Sequence, residues 1–85
     1  MHMIEYLSET PESVVEDSTA HNFQILLMTE NGNYFYSPNG FVKAGVLPIE
    51  NAFLSKKRLV EVFEKAVEMA KRDFKSGNIH IVAIH

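Results

Sequence analysis

The longest amphipathic pattern in the chain lies in its C-terminal half, between Leu54 and Gly77. Apolar residues recur there at intervals of three or four positions, which places them on one side of an α-helix. Ser55 is a residue type that caps helix N-termini, and Gly77 is expected to follow the C-terminus, with Lys75 in the last turn. The pattern therefore predicts one long helix that packs on a core. The predicted apolar stripe consists of Leu59, Val60, Phe63, Ala66, Val67, Ala70 and Phe74.

Shorter apolar runs predict strands on either side of this helix. Residues 23–28 are apolar at nearly every position, which is typical of a central strand that is covered on both faces. Residues 79–84 have the same character and predict a mostly buried strand after the helix. Residues 4–7 predict a short first strand.

Two turn signals follow the central strand. The pair Asn31-Gly32 tolerates the positive φ angles of a type I′ turn, so residues 34–36 are predicted to complete a hairpin. A second turn at residues 37–40 contains proline and glycine, and it leads to a short third strand at residues 41–43.

A short helix is predicted near the N-terminus. Thr10 is a good N-cap, Pro11 suits the first helical position and Glu12 suits the first turn, so a helix is expected to run to about Asp17. The predicted order is β-(α)-β-β-α-β. We therefore expect an α+β fold: a two-layer sandwich in which one long helix packs on one face of a small, mainly antiparallel sheet.

Composition places the chain in a broad class. The 85 residues are predicted to form a single domain over residues 1–85, and we interpret Met1 and His2 as a cloning remnant. The sequence has no cysteine, which excludes disulfides, thiol nucleophiles and thiolate metal sites. No apolar run approaches the roughly 18 residues of a membrane span, and no signal-peptide pattern is visible. A cytoplasmic location is therefore expected.

The residue types that carry catalysis or bind metals do not form a recognisable pattern. The four histidines, His2, His21, His80 and His85, are not at metal-ligand spacing. The acids are not paired, and the sequence has neither a nucleophile elbow nor a glycine-rich phosphate loop. We therefore expect no metal, no cofactor and no enzymatic activity.

Charge is unevenly distributed along the chain. Residues 1–35 hold six acids and no Lys or Arg, whereas residues 36–85 hold all eight Lys and Arg residues and five acids. One interpretation is an acidic face opposite a basic one, which would steer a charged partner or favour head-to-tail association. The other is chance in a short chain.

Basic residues open the long helix, where the helix dipole disfavours cations. Lys56, Lys57 and Arg58 are either incidental charges screened by salt or, together with the first-turn amides, an anion site. Tyr34 and Tyr36 share one face of a strand and would either stack on unpaired bases or pack within the protein. The candidate residues for binding a partner or a nucleic acid are Lys56, Lys57, Arg58, Lys71, Arg72, Lys75, Tyr34 and Tyr36.

The second face of the sheet has no obvious cover. The sequence offers no other helix of similar length, yet its central strands are apolar on both sides. The N-terminal segment, a second copy or a target protein would have to cover this face, and we favour a homodimer. Val62 and Met69, at the edge of the apolar stripe, would either widen the core contact or form the oligomer interface.

The hairpin, the run from Asn51 to Lys57, the long helix and the exit through Gly77-Asn78 resemble small phage or mobile-element accessory proteins. The resemblance covers roughly residues 23–85 and rests on element order and composition. It implies a non-enzymatic, counter-defence type of factor that binds and modulates or inhibits a macromolecular partner in the host cytoplasm. The alternative hypothesis is a protein that binds RNA or single-stranded nucleic acid through the basic residues, although the pI of 5.7 speaks against broad affinity.

Overall fold

The structure, a computed structural model, describes residues 4–6, 10–45 and 53–84. The predicted fold class is confirmed: one long helix packs on a small, mainly antiparallel sheet. The short third strand predicted at residues 41–43 is present as β4, and a two-residue strand that was not predicted, β5, precedes the long helix. The elements are β1 Ile4–Tyr6, α1 Pro11–Asp17, β2 Asn22–Thr29, β3 Gly32–Ser37, β4 Gly40–Lys43, β5 Leu54–Ser55, α2 Lys56–Asp73 and β6 Gly77–Ile84.

The sheet has the strand order β1-β6-β2-β3-β4, so β2 is central, as its apolar sequence predicts. β6, β2, β3 and β4 are antiparallel neighbours, whereas β1 runs parallel to β6. β5 pairs with the start of β2, where Ser55 lies opposite Asn22. This pairing anchors the N-terminus of α2 beside the central strand.

The hairpin between β2 and β3 is confirmed, but the predicted type I′ turn is wrong. Thr29 pairs with Gly32, so the turn is centred on Glu30 and Asn31, one position earlier than predicted. Neither residue has a positive φ, and the left-handed conformation lies at Gly32, with φ of 130°. The Thr29 hydroxyl accepts a hydrogen bond from Asn31 N at 3.1 Å and donates one to Gly32 O at 2.8 Å. These side-chain bonds favour the turn that is observed.

The core lies between α2 and one face of the sheet. Phe23, Ile25 and Leu27 alternate along β2 and are fully buried on this face. They form one cluster with Leu59 and Ala66 of α2. The small side chain of Ala66 allows the helix to approach the sheet closely.

Both predicted N-caps are confirmed. The Thr10 hydroxyl accepts a hydrogen bond from Ser13 N at 3.2 Å, and the Ser55 hydroxyl accepts one from Arg58 N at 3.3 Å. Each bond satisfies a backbone donor that the first turn of a helix leaves unpaired.

The predicted end of α2 is wrong. The helix stops at Asp73 with Phe74 as its C-cap, and Lys75 therefore lies beyond the last turn. Gly77 is not a C′ residue; it is the first residue of β6, opposite Ile4. The exit is made by extended backbone at Phe74, whose side chain packs on the core.

The apolar stripe of α2 is rotated relative to the prediction. Val60 was expected in the core, yet it is 37% exposed. Val62 and Met69, expected at the edge, are buried at 8% and 9% exposure. Adjacent helix positions are about 100° apart, so a helix that centres Leu59 on the sheet turns Val60 outward. Of the two interpretations of Val62 and Met69, the structure supports the wider core contact, since buried side chains have little surface left for a second subunit.

Candidate interaction surfaces

The sheet has a second face that points away from α2. Strand alternation places Leu26 and Met28 on this face, because Phe23, Ile25 and Leu27 point to the helix. Leu26 lies opposite Phe35 in β3 and His80 in β6, which extends the face across three strands. Both α1 and α2 pack on the other face, and within the described part of the chain no helix lies against this one. We call it the open face.

On β6, β2, β3 and β4 the open face mixes apolar residues with uncharged polar ones, among them Gln24, Asn33, Asn78 and His80. By the same alternation, the strands β6, β2, β3 and β4 place no Asp, Glu, Lys or Arg residue on it. Met28 lies near the end of β2 and is 40% exposed, the highest value among the large apolar side chains of the described residues. Its apolar members are Leu26, Met28, Phe35, Val42, Val82 and Ile84.

Gln24 lies at the middle of the open face. It is 5% exposed, so little of its surface is accessible, and its side-chain nitrogen Nε2 has no hydrogen-bond partner among the described residues.

Tyr34 and Tyr36 face α2 and not the open face, so the interpretation as a base-stacking platform is wrong for Tyr36 and unsupported for Tyr34. Tyr36 is 3% exposed and packs edge-on against Phe41, with ring centroids 5.9 Å apart. Tyr34 packs against Phe74 at 4.8 Å. The reason is register: Tyr34 lies opposite Leu27, whose side chain is in the core. Burial raises the pKa of Tyr36, and the positive charge of Arg58 opposes part of that rise.

The three cations at the start of α2 do not form one anion site. The Lys56 ammonium Nζ donates to Ser18 O at 3.0 Å, which ties it to the loop after α1. Arg58 Nε lies 3.3 Å from the Glu61 carboxylate. Lys57 is exposed between them. Consecutive helix residues point in different directions, so three adjacent cations cannot share a face.

At the other end of α2, Lys71 and Arg72 line one shallow depression together with Glu68. Arg72 Nε donates to Asp73 Oδ1 at 3.0 Å, and this hydrogen bond lowers the pKa of the Asp73 carboxyl. Lys71 and Arg72 are exposed in the last turn, and Lys75 lies after it. The ion pairs of α2 are thus Arg58–Glu61 and Arg72–Asp73 within the described residues.

A second surface was not predicted from the sequence. A groove lies between the start of α1 and the outer flank of α2, and it has a volume of about 790 Å³. From the sequence, Val60 was expected in the core stripe and Glu12 in the first turn of a helix, so neither residue pointed to this groove. The groove is lined by Thr10, Pro11, Glu12, Val60, Glu61, Phe63, Glu64, Val67 and Glu68.

Other kinds of site were sought in the same residues. Within the described ranges, no three His, Asp or Glu side chains lie close enough to hold a metal ion. Across those ranges, no helix is both long and apolar enough to cross a membrane. No known protein family, curated protein sequence or solved structure matches the chain. The two surfaces described above are therefore the basis for a functional proposal.

Proposed function

We propose that this protein is a small, non-enzymatic interaction protein, an accessory factor that binds and modulates or inhibits a macromolecular partner. The observation that carries the proposal is the open face, a sheet surface without Asp, Glu, Lys or Arg on its four main strands, on which no described helix packs. Leu26, Phe35 and Val42 lie opposite one another across three of these strands, and sheet faces commonly pack on another protein surface.

We propose a second copy of the chain as the occupant of the open face. A twofold interface brings the same residues of two copies together, so like charges would repel each other across it. The open face has no charge on its four main strands, and it meets a copy of itself without this penalty. The homodimer thus remains the favoured oligomer, but with the open face in place of Val62 and Met69.

The size of the face sets the expected strength of the dimer. β2 and β6 have eight residues each. β3 has six residues and β4 has four. At about 3.3 Å per residue and about 4.8 Å between strands, the four strands present roughly 400 Å² per copy. Two copies would bury about 800 Å², below the roughly 1,000 Å² of a stable specific interface. The dimer is therefore expected to be weak and to dissociate on dilution.

Analytical ultracentrifugation over a dilution series from a few to a few hundred micromolar tests this proposal. The natural chain should shift from monomer to dimer, and Met28→Lys should remain monomeric because it places two like charges in the interface. Val60→Lys is the matched control: it makes the same change at a similarly exposed residue on the helix side. A natural chain that stays monomeric throughout, or a Met28→Lys variant that dimerises like Val60→Lys, would contradict the proposal.

The alternative hypothesis, nucleic-acid binding, keeps less support. Tyr34 and Tyr36 pack inside the chain, while Lys56, Arg58 and Arg72 make contacts within the protein. Among the candidate residues, Lys57 and Arg58 are exposed at the start of α2, and Lys71, Arg72 and Lys75 are exposed at or beyond its end, so the cations are divided between the two ends of the helix. The geometry therefore favours a protein partner.

A further inference from the structure

The groove between α1 and α2 has an apolar floor. Val60, Phe63 and Val67 lie at positions i, i+3 and i+7 of α2, so they form one row along the helix. Val67 belongs to the core at 8% exposure and Phe63 is half-buried, so Val60 gives the row most of its accessible surface. The row is about 10 Å long at 1.5 Å per residue. Val60 is 37% exposed. Together with Met28 on the open face, it is one of the two exposed large apolar side chains among the described residues. A row of this length matches two turns of a partner helix.

Carboxylates surround this floor. Glu61, Glu64 and Glu68 of α2 and Glu12 of α1 line the groove, and no Lys or Arg is among its described lining residues, although Lys71 and Arg72 lie beside Glu68. Glu61 is paired with Arg58 at 3.3 Å. The other three acids have no ion pair within the described residues. The groove is therefore negatively charged along its rim.

We propose that this acidic groove docks a short amphipathic helix of a partner protein, with apolar side chains on the floor and Lys or Arg side chains against the rim. The proposal deepens the proposed function, since it requires that the protein acts by binding, but it uses a surface other than the open face. An apolar row in a groove is how amphipathic helices are recognised, and complementary rim charges set orientation and specificity.

The chemistry of the groove excludes other occupants. Its carboxylates repel phosphate groups, so a nucleic acid is not expected there. The described acids are not grouped closely enough to hold a metal ion together. The remaining match is a segment that is apolar on one side and positively charged on its flanks.

Two synthetic peptides test the proposal by fluorescence anisotropy. Both have about 15 residues, enough for helix formation on a surface. They share leucines at positions i, i+3, i+4 and i+7, and one carries lysine and the other glutamate at the polar positions. The lysine peptide should bind the natural chain, and its affinity should fall several-fold when salt rises from about 50 to about 300 mM. The glutamate peptide should bind at least about tenfold more weakly.

Variants locate the binding site. Val60→Lys puts a cation on the floor of the groove, and the double variant Glu64→Lys/Glu68→Lys reverses two charges on its rim. Each should lower the affinity for the lysine peptide by about tenfold or more. The double variant Glu16→Lys/Glu30→Lys changes the net charge by the same amount outside the groove, because both residues are exposed and neither lines it. This control should keep most of the affinity. Circular dichroism of each variant checks that the fold is retained.

Three results would overturn the proposal: no binding of the lysine peptide, equal binding of both peptides, or an equal loss in the groove and control double variants. The last result would mean that net charge alone attracts the peptide. Met28→Lys should bind the lysine peptide like the natural chain, whereas Val60→Lys should still dimerise. The peptide-binding proposal for the groove and the dimer proposal for the open face can thus be contradicted independently.

Discussion

Gly77 is a residue whose role depends on its neighbours in space rather than in sequence. It follows a helix closely enough to predict a C′ glycine, yet it opens β6 with a φ of 151°. A Cβ at this position would lie 2.9 Å from Leu27 Cδ1 and 3.1 Å from Thr29 Cγ2. Two separate constraints therefore favour glycine at this position: its positive φ angle and the close approach of β2 side chains.

Alanine substitutions separate these two requirements. Gly77→Ala and Gly40→Ala both place a side chain at a positive φ, which costs about 1–3 kcal/mol. At Gly40, with φ of 129°, no atom lies within 4 Å of the added Cβ. Gly77→Ala should lower the free energy of unfolding by about 1–3 kcal/mol more than Gly40→Ala, because it also overpacks the core. Urea unfolding measures both, and equal losses would show that the contact with Leu27 relaxes without cost.

Tyr36 is a buried phenol whose ionisation opposes folding. Burial raises its pKa above the usual value of 10.0, so the folded state holds the proton more tightly than the unfolded state. This stabilising contribution is fully present below pH of about 10 and is lost as the pH rises through the raised pKa.

The prediction for Tyr36 is a difference in alkaline stability. Tyr36→Phe removes the ionisable group and keeps the ring, so its stability should fall less than that of the natural chain between pH of about 9 and about 11.5. Urea unfolding at several pH values measures the difference. Parallel pH curves for the two proteins would mean that Tyr36 ionises as freely in the folded state as in the unfolded one.

At the scale of elements, α2 shows how a helix can be correctly predicted and yet wrongly oriented. Its N-cap and its amphipathic character follow from local sequence. Its rotation follows from the sheet: Leu59, Ala66 and Ala70 are fully buried, and this leaves Val62 and Met69 inside and Val60 outside. The apolar spacing alone permits both orientations, because apolar residues occupy more than half a turn of this helix.

A pair of matched truncations measures this rotation. Val62→Ala should reduce the free energy of unfolding by about 1.5–2.5 kcal/mol, because it removes two buried methyl groups and leaves a cavity. Val60→Ala removes the same atoms from an exposed site and should change the free energy of unfolding by less than about 0.5 kcal/mol. The comparison needs only thermal or urea unfolding. A larger loss for Val60→Ala would place the sheet against the other side of the helix.

At the scale of the whole molecule, the two candidate surfaces lie on opposite sides. The open face is the side of the sheet away from α2, and the acidic groove lies on the outer flank of α2 beside α1. A chain that dimerises through the open face would therefore keep its groove accessible. Such a dimer would present two acidic grooves. A partner with two basic segments would bind it with a higher overall affinity than a single segment, because the second contact forms within the complex.

Local sequence signals determined the elements of this protein. The caps at Thr10 and Ser55, the hairpin near Gly32 and the central strand at residues 23–28 were predicted because each depends on hydrogen bonds or φ angles within a few residues. The α+β class follows from their order. No signal of this kind named a binding site: Tyr34 and Tyr36 pack within the protein, and the exposed cations are divided between the two ends of α2.

The tertiary structure decided which surfaces remain available. Pairing of Tyr34 with Leu27 turned the tyrosines inward, and the position of α2 on the sheet left Val60 exposed beside Glu12, far away in the chain. Strand register and helix rotation are set by contacts between distant segments, which a local pattern does not contain. The sequence predicted a sheet face without a helix on it, whereas the acidic groove is a consequence of that packing and only the folded chain reveals it.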